Sequence, residues 1–198
     1  MDFQQVVDRR RMVRRYTDEA VDPAVVERVL RNALHAPSAG FSQGWAFLLL
    51  DAPADVERFW VAATPDEAGL DSWLAGMQTA PVIVVPLSCK RIYLERYAEA
   101  DKGWADLDES HWPVPYWDID TGMAALLMLQ TVVDEGLGAC FFGIPPAQIP
   151  GFRAAFEVPD DYTPIGAISI GHRAPDALSP SLRRGRRQVD EVVHRGRW

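Results

Sequence analysis

With 198 residues, 48% of them hydrophobic, the chain can bury one substantial core and is read as a single domain over residues 1–198. A net charge of -8 excludes the broad basic face that nucleic acid needs, and no stretch approaches the roughly 18 apolar residues of a membrane span. Met1–Gln5 lacks a basic segment leading into an apolar run, so a soluble, cytoplasmic protein is expected; Cys89, Cys140 and four scattered histidines make neither a disulfide framework nor a metal-ligand spacing.

Asp2 can cap a first helix whose apolar positions Phe3, Val6, Val7 and Val13 follow helical spacing, which puts Arg10 and Arg14 on one side of its C-terminal end. Asp22-Pro23 opens a second helix through Val25, Val26, Val29, Leu30, Ala33 and Leu34, ending at or before Ala36 because Pro37 restricts its predecessor. A small, polar stretch, Ser38 to Gln43, then leads into a buried strand over Trp45–Leu50. Pro81–Leu87 reads as a central strand despite its prolines.

Residues 88–117 break into charges and aromatics, among them Tyr93, Tyr97, Trp104, Trp112, Tyr116 and Trp117. A segment of this length reads either as a substrate-facing lid or as an aromatic excursion packed on the body. Asp118 or Asp120 then opens a helix that is apolar nearly all round and is capped by Gly136, which suits a core or an oligomer interface. Gly136–Gly143 combines glycine turns with an apolar run suited to a strand approaching a flat ligand. After a short helix near Phe152–Phe156 comes the last core strand, Pro164–Gly171, and a polar, arginine-rich tail from Ala174 that ends on Trp198 and is expected to dock.

Eleven of the twenty basic residues fall in Arg9–Arg15 and Arg183–Arg197. Guanidinium forks at both ends of an acidic chain suit a small phosphorylated ligand, although charge alone fits a pair of solvated faces equally well.

Arg10-Arg11-Met12-Val13-Arg14-Arg15-Tyr16, followed by Ala36-Pro37-Ser38-Ala39-Gly40-Phe41-Ser42-Gln43-Gly44-Trp45, resembles the RRSVRxF and APSAxNxQPW signatures of the FMN-dependent nitroreductase family. Gly136 to Gly143 is similar to the family's GLGxxxxG segment, and the basic tail running into Glu191-Val192-Val193-His194 is similar to its C-terminal end. The resemblance implies an α+β fold in which a central, mostly antiparallel sheet is flanked by helices, built as an intertwined homodimer with FMN at the subunit interface. It implies that Arg10, Arg11, Met12 and Arg14, with Arg184 and Arg186, hold the FMN phosphate end. It also implies that Pro37, Ser38 and Ala39, mostly from the partner subunit, and Gln43 run beside the ring and ribityl chain, and that Phe141, Phe142 and Gly143 lie along the reactive edge. Residues 181–198 become an arm around the partner subunit and 88–117 an insertion or lid.

A flavoprotein of this kind needs no catalytic side chain or metal, because the flavin carries the chemistry. The activity implied is transfer of electrons from NADH or NADPH to an electron-poor small molecule, nitroaromatic or quinone, by a ping-pong mechanism. Three positions depart from the signatures: Met12 for serine, Phe41 for asparagine and Gly44 for proline. Phe41 makes that wall apolar and is the expected substrate contact. Alternatives carried by the same scaffold are a flavin-sequestering protein, a reductive dehalogenase, a flavin-destroying enzyme and a user of the deazaflavin F420.

Overall fold

A computed structural model gives the fold and describes residues 1–65, 72–176 and 179–198. Helix α1 spans Phe3–Arg9, α2 Pro23–Ala33, α3 Pro53–Ala63, α4 Ser72–Met77, α5 Lys90–Ala98, α6 Tyr116–Asp134, α7 Ile149–Phe156 and α8 Val189–Val192. Strands β1 (Trp45–Leu50), β2 (Val82–Ser88), β3 (Gly138–Phe142) and β5 (Ala167–Gly171) form one antiparallel sheet in the order β1-β2-β5-β3, and the short β4 (Thr163–Pro164) pairs with β2.

Alternation along the strands divides the core in two. Trp45, Val82, Val84, Ala139, Ile168 and Ile170 face α2 and α6, where they meet Val29, Ala33, Ala124, Met128 and Val132. Leu50, Ile83, Val85, Leu87 and Cys140 face the opposite way, onto Phe59, Trp60 and Phe152 of α3 and α7. Both faces are apolar, so both carry helices, and the α+β architecture follows.

Pro86 sits inside a fully buried strand, where a missing N–H is normally disallowed. Its carbonyl accepts from Ile165 N–H at 3.1 Å. The missing donor therefore faces the interruption between β4 and β5, where no ladder bond is lost.

Three expectations change, and of the two readings of residues 88–117 the packed aromatic excursion is the one seen. Helix α1 stops at Arg9 because Arg10 turns extended and the chain pairs with β3: Met12 bridges Ala139, and Val13 N–H donates to the Ala139 carbonyl at 2.9 Å. Arg10 and Arg14 thus lie on an extended segment, not a helix. Helix α6 begins at Tyr116, so neither Asp118 nor Asp120 caps it. Residues 90–98 form α5, and the aromatics beyond it build a compact cluster in which Tyr97 and Trp112 ring centres lie 4.4 Å apart and Trp104 stacks on His111 at 4.8 Å. The tail does not dock on its own chain: residues 181–198 are exposed and Trp198 is fully so.

Phe59 is fully buried and meets Trp60, Phe142 and Phe152 edge to face. Phe59→Ala is expected to lower stability by about 3–5 kcal/mol through the cavity it leaves, read as the shift in urea midpoint; a loss under about 1 kcal/mol contradicts this packing.

Candidate flavin site

The first arginine segment is fixed against β3. Along it Val13 and Tyr16 are buried, Arg10, Met12 and Arg14 half-buried, and Arg11 and Arg15 exposed. The Met12 thioether accepts from the Phe141 amide at 3.3 Å, which occupies the position where the family signature has serine. Arg14 donates to the Met12 carbonyl at 3.3 Å. Among the described residues, Arg10, Arg14, Arg184 and Arg186 have no carboxylate partner, whereas Arg28, Arg31, Arg58, Arg91, Arg96, Arg153 and Arg187 all do. In a chain of net charge -8, the uncompensated cations are concentrated in the two clusters.

Arg173 joins the first cluster and was missed in the sequence. Its Nε donates to the Leu137 carbonyl at 3.0 Å. Burial, then the neighbouring charges of Arg11 and Arg9, hold its guanidinium below the usual range. The signal available was its place two residues beyond the glycine that closes the last strand.

Within the Gly138–Gly143 segment the two phenylalanines go to opposite faces. Phe142 stacks on Trp60 with ring centres 5.5 Å apart and planes 7° from parallel. Its ring thus belongs to the core, so backbone and the exposed Gly143, with open space where a side chain would be, are what this end offers a flat ligand. Phe141 packs with Met12 on the α2–α6 side, against the same cluster as Ala36.

The Ser38–Gln43 loop is preformed. The Phe41 amide donates to the Ser38 carbonyl at 2.9 Å, the Ser42 amide to the Ala39 carbonyl at 3.1 Å, and the Gln43 amide to the Ser38 hydroxyl at 3.0 Å. The Ala39 amide donates to Asp120 Oδ2 at 2.8 Å, and the Tyr93 hydroxyl donates to the same oxygen at 2.8 Å. Asp120, 2% exposed, is thus an anchor for the loop rather than the cap its position suggested. With these groups engaged, the loop turns outward Pro37, Phe41 and Gln43, all exposed. The second departure explains itself: a Cβ at Gly44 would lie 2.5 Å from Tyr93 Cε2 and 2.9 Å from the Cys89 carbonyl, leaving no room for proline.

Neither buried thiol is an evident nucleophile; burial pushes Cys140 up. No group of metal-ligating side chains occurs among the described residues, and no described helix is long and apolar enough to cross a membrane. The unpaired guanidinium set fits a phosphate-bearing cofactor, and the glycine-edged strand end fits a flat ring.

The chain belongs to the Nitroreductase family, whose sequence model matches residues 7–172. It is 22% identical to an iodotyrosine deiodinase of Haliscomenobacter hydrossis over 98% of this chain and 89% of that protein. It is also 24% identical to a Methanothermobacter thermautotrophicus protein with a provisional NADH dehydrogenase/NAD(P)H nitroreductase name, over 88% of this chain and 78% of the other. Among solved structures, a nitroreductase family protein of Clostridium difficile 630 superposes with TM-score 0.73 at 22% identity, covering 100% of both chains. An FMN-dependent nitroreductase of Clostridium difficile R20291 gives 0.69 at 20% identity, covering 98% of each. At these identities the solved structures establish the fold alone.

Two predictions follow from the loop's supports. Gly44→Ala is expected to destabilise by about 1–3 kcal/mol through overpacking, read from thermal melts; an unchanged melting temperature refutes the crowding. The Tyr93 hydroxyl is held above the ordinary tyrosine range by burial and then by its bond to Asp120, and Tyr16 is raised by burial too. Their folded values exceed the unfolded value of about 10, so the stability they contribute is complete below that pH and is lost as pH rises past it. Urea midpoints should therefore fall more steeply above pH 10 in the native chain than in Tyr93→Phe; parallel curves contradict the assignment.

Proposed function

We propose that this protein is an FMN-dependent NAD(P)H oxidoreductase that reduces an electron-poor small molecule, nitroaromatic or quinone in type, and works as a cytoplasmic homodimer. The observation that carries the reading is that Arg10, Arg14, Arg184 and Arg186 have no carboxylate partner among the described residues of an acidic chain in which most other arginines do.

Arg10 and Arg14, with Arg184 and Arg186, would hold the phosphate through charge-assisted, fork-shaped hydrogen bonds, and Arg11 would add positive potential at the rim. Met12 contributes no hydrogen bond there, since its sulfur already receives the Phe141 amide. Pro37, Ser38, Ala39 and Gln43 would line the ring and ribityl chain, with Gln43 supplying an exposed amide side chain. The backbone at Phe142 and Gly143 would border the ring's reactive edge. Bound FMN supplies reversible two-electron chemistry, so no acid, base or nucleophile is required from the chain. One open face serving donor and acceptor in turn gives ping-pong kinetics. The exposed 181–198 arm would carry Arg184 and Arg186 into place while wrapping the partner subunit, and its uncovered Leu182, Val189 and Trp198 suit such a role. Residues 88–117 would border the acceptor side.

The iodotyrosine deiodinase relative favours a second reading, reductive dehalogenation of a halophenol on the same site.

The purified protein is expected to be yellow, to release FMN on heating, and to be bleached by NADH or NADPH without air. Persistent oxidised flavin would instead mark a sequestering protein, and a colourless protein that takes up no added FMN would end the flavin reading. Arg10→Ala and Arg184→Ala should each weaken FMN binding by about 1.5–3 kcal/mol, measured by fluorescence titration; unchanged affinity in both removes the phosphate assignment.

A further inference from the structure

The Ser38–Gly44 loop holds an unfavourable shape. Gly40, Phe41 and Gln43 all have positive φ, at 60°, 56° and 52°. Such a conformation at two non-glycine residues persists only where the surroundings over-determine it. Apart from bonds inside the loop, the surroundings are helices α5 and α6. Asp120 of α6 receives the Ala39 amide. Tyr93 of α5 donates to the same oxygen. Arg96 Nε donates to the Gly40 carbonyl at 3.0 Å and is itself held by Asp101 at 2.8 and 2.9 Å. Tyr97 closes over Gly40, where a Cβ would lie 2.6 Å from its Cε2, and the Cys89 amide donates to the Gly44 carbonyl at 2.8 Å.

The product of this bracing is peculiar. Phe41, a large apolar ring, is held 75% exposed to solvent on a turn that cannot fold it away. On the flavin reading above this loop borders the cofactor ring, and a rigid, outward aromatic ring there is a stacking surface. Burying a carboxylate at Asp120 is costly unless each lone pair finds a donor, and one of the two donors found belongs to this loop.

We propose that Asp120 and Tyr93 are positioning residues for acceptor selection: through the Ala39 amide they fix the Gly40–Phe41 turn, so that Phe41 forms a platform for a planar, electron-poor aromatic acceptor. Helix α5 thereby couples the aromatic segment to the choice of acceptor. The proposal rests on the flavin reading above.

The variants are Tyr93→Phe, which removes only the hydroxyl, Phe41→Ala, their combination, and Asp120→Ala beside Asp120→Asn, whose carbonyl oxygen still accepts both bonds. The first readout is hydrogen–deuterium exchange of the 38–44 segment, with and without FMN; loss of one bracing hydrogen bond should speed exchange about tenfold in Tyr93→Phe. The second is the kcat/KM ratio for p-nitrobenzoate over ferricyanide, which accepts electrons without stacking. The ratio should fall about tenfold, mainly through KM, in Tyr93→Phe and in Phe41→Ala, and the double variant should fall no further. Asp120→Asn should lie between the native protein and Asp120→Ala. Unchanged exchange or an unchanged ratio in Tyr93→Phe overturns the proposal, as does equal loss toward both acceptors with loss of flavin, which would make the brace a flavin-holding element. A native protein that takes up no FMN marks the failure of the flavin reading instead; a native protein that is loaded and active, with variants indistinguishable from it, marks the failure of this one.

Discussion

Strands β2 and β5 are buried at every residue, and that single constraint organises the molecule. A sheet with two apolar faces must be covered twice, so α2 and α6 close one side and α3 and α7 the other. The remaining liability is the edge. Along β3 it is met in part by the Met12–Val13 segment, whose backbone pairs with Ala139. A segment recruited to satisfy backbone hydrogen bonds carries Arg10, Arg11 and Arg14 with it. The cationic cluster is thus placed by sheet physics, and its charge does not have to organise itself against repulsion.

Repulsion is nevertheless present. Arg173 lies near Arg9 and Arg11, close enough for their charges to count against its own, and no carboxylate is paired with Arg10, Arg14 or Arg15 among the described residues. Elsewhere on the surface the chain pairs its cations, as with Arg28 to Glu135 at 2.7 Å or Arg91 to both Glu95 and Asp161. Surface pairs of this kind contribute little to stability. Their distribution is more informative than their energy: cations left over in an acidic protein are cations available to a ligand.

Much of the architecture was legible because it depends on local rules. Asp22-Pro23 caps and starts α2, Gly136 closes α6 with φ 78°, and the run Trp45–Leu50 is a strand to the residue. What escaped reading depends on partners distant in sequence. The end of α1 is decided by β3, more than a hundred residues away, because strand pairing outweighs a helical pattern of one phenylalanine and three valines. Asp120 looked like a cap since aspartate near a helix start usually is one, yet its partners Ala39 and Tyr93 come from two other elements. Asp118, likewise, receives the Ser88 hydroxyl at 2.6 Å from the end of β2. Of the site, the residue types and their order were readable; which backbone groups are already engaged was not.

Two of the three departures from the family signature trace to α5, and the third to the edge of β3. Serine at position 12 would offer a hydroxyl, but Met12 reaches the Phe141 amide and fills space against the α2–α6 core, trading a ligand contact for a strand-edge contact. Proline at 44 would need room that Tyr93 and the Cys89 carbonyl occupy. Asparagine tolerates positive φ readily, so Phe41, at φ 56°, is the residue that the local backbone least favours. A phenylalanine in that conformation is held by α5 and α6, and the same α5 is what excludes a side chain at 44. The aromatic segment and the altered loop are therefore two halves of one arrangement: α5 supplies the Tyr93 ring that leaves room only for glycine at 44 and, with Asp120 of α6, the bonds that hold the turn carrying Phe41.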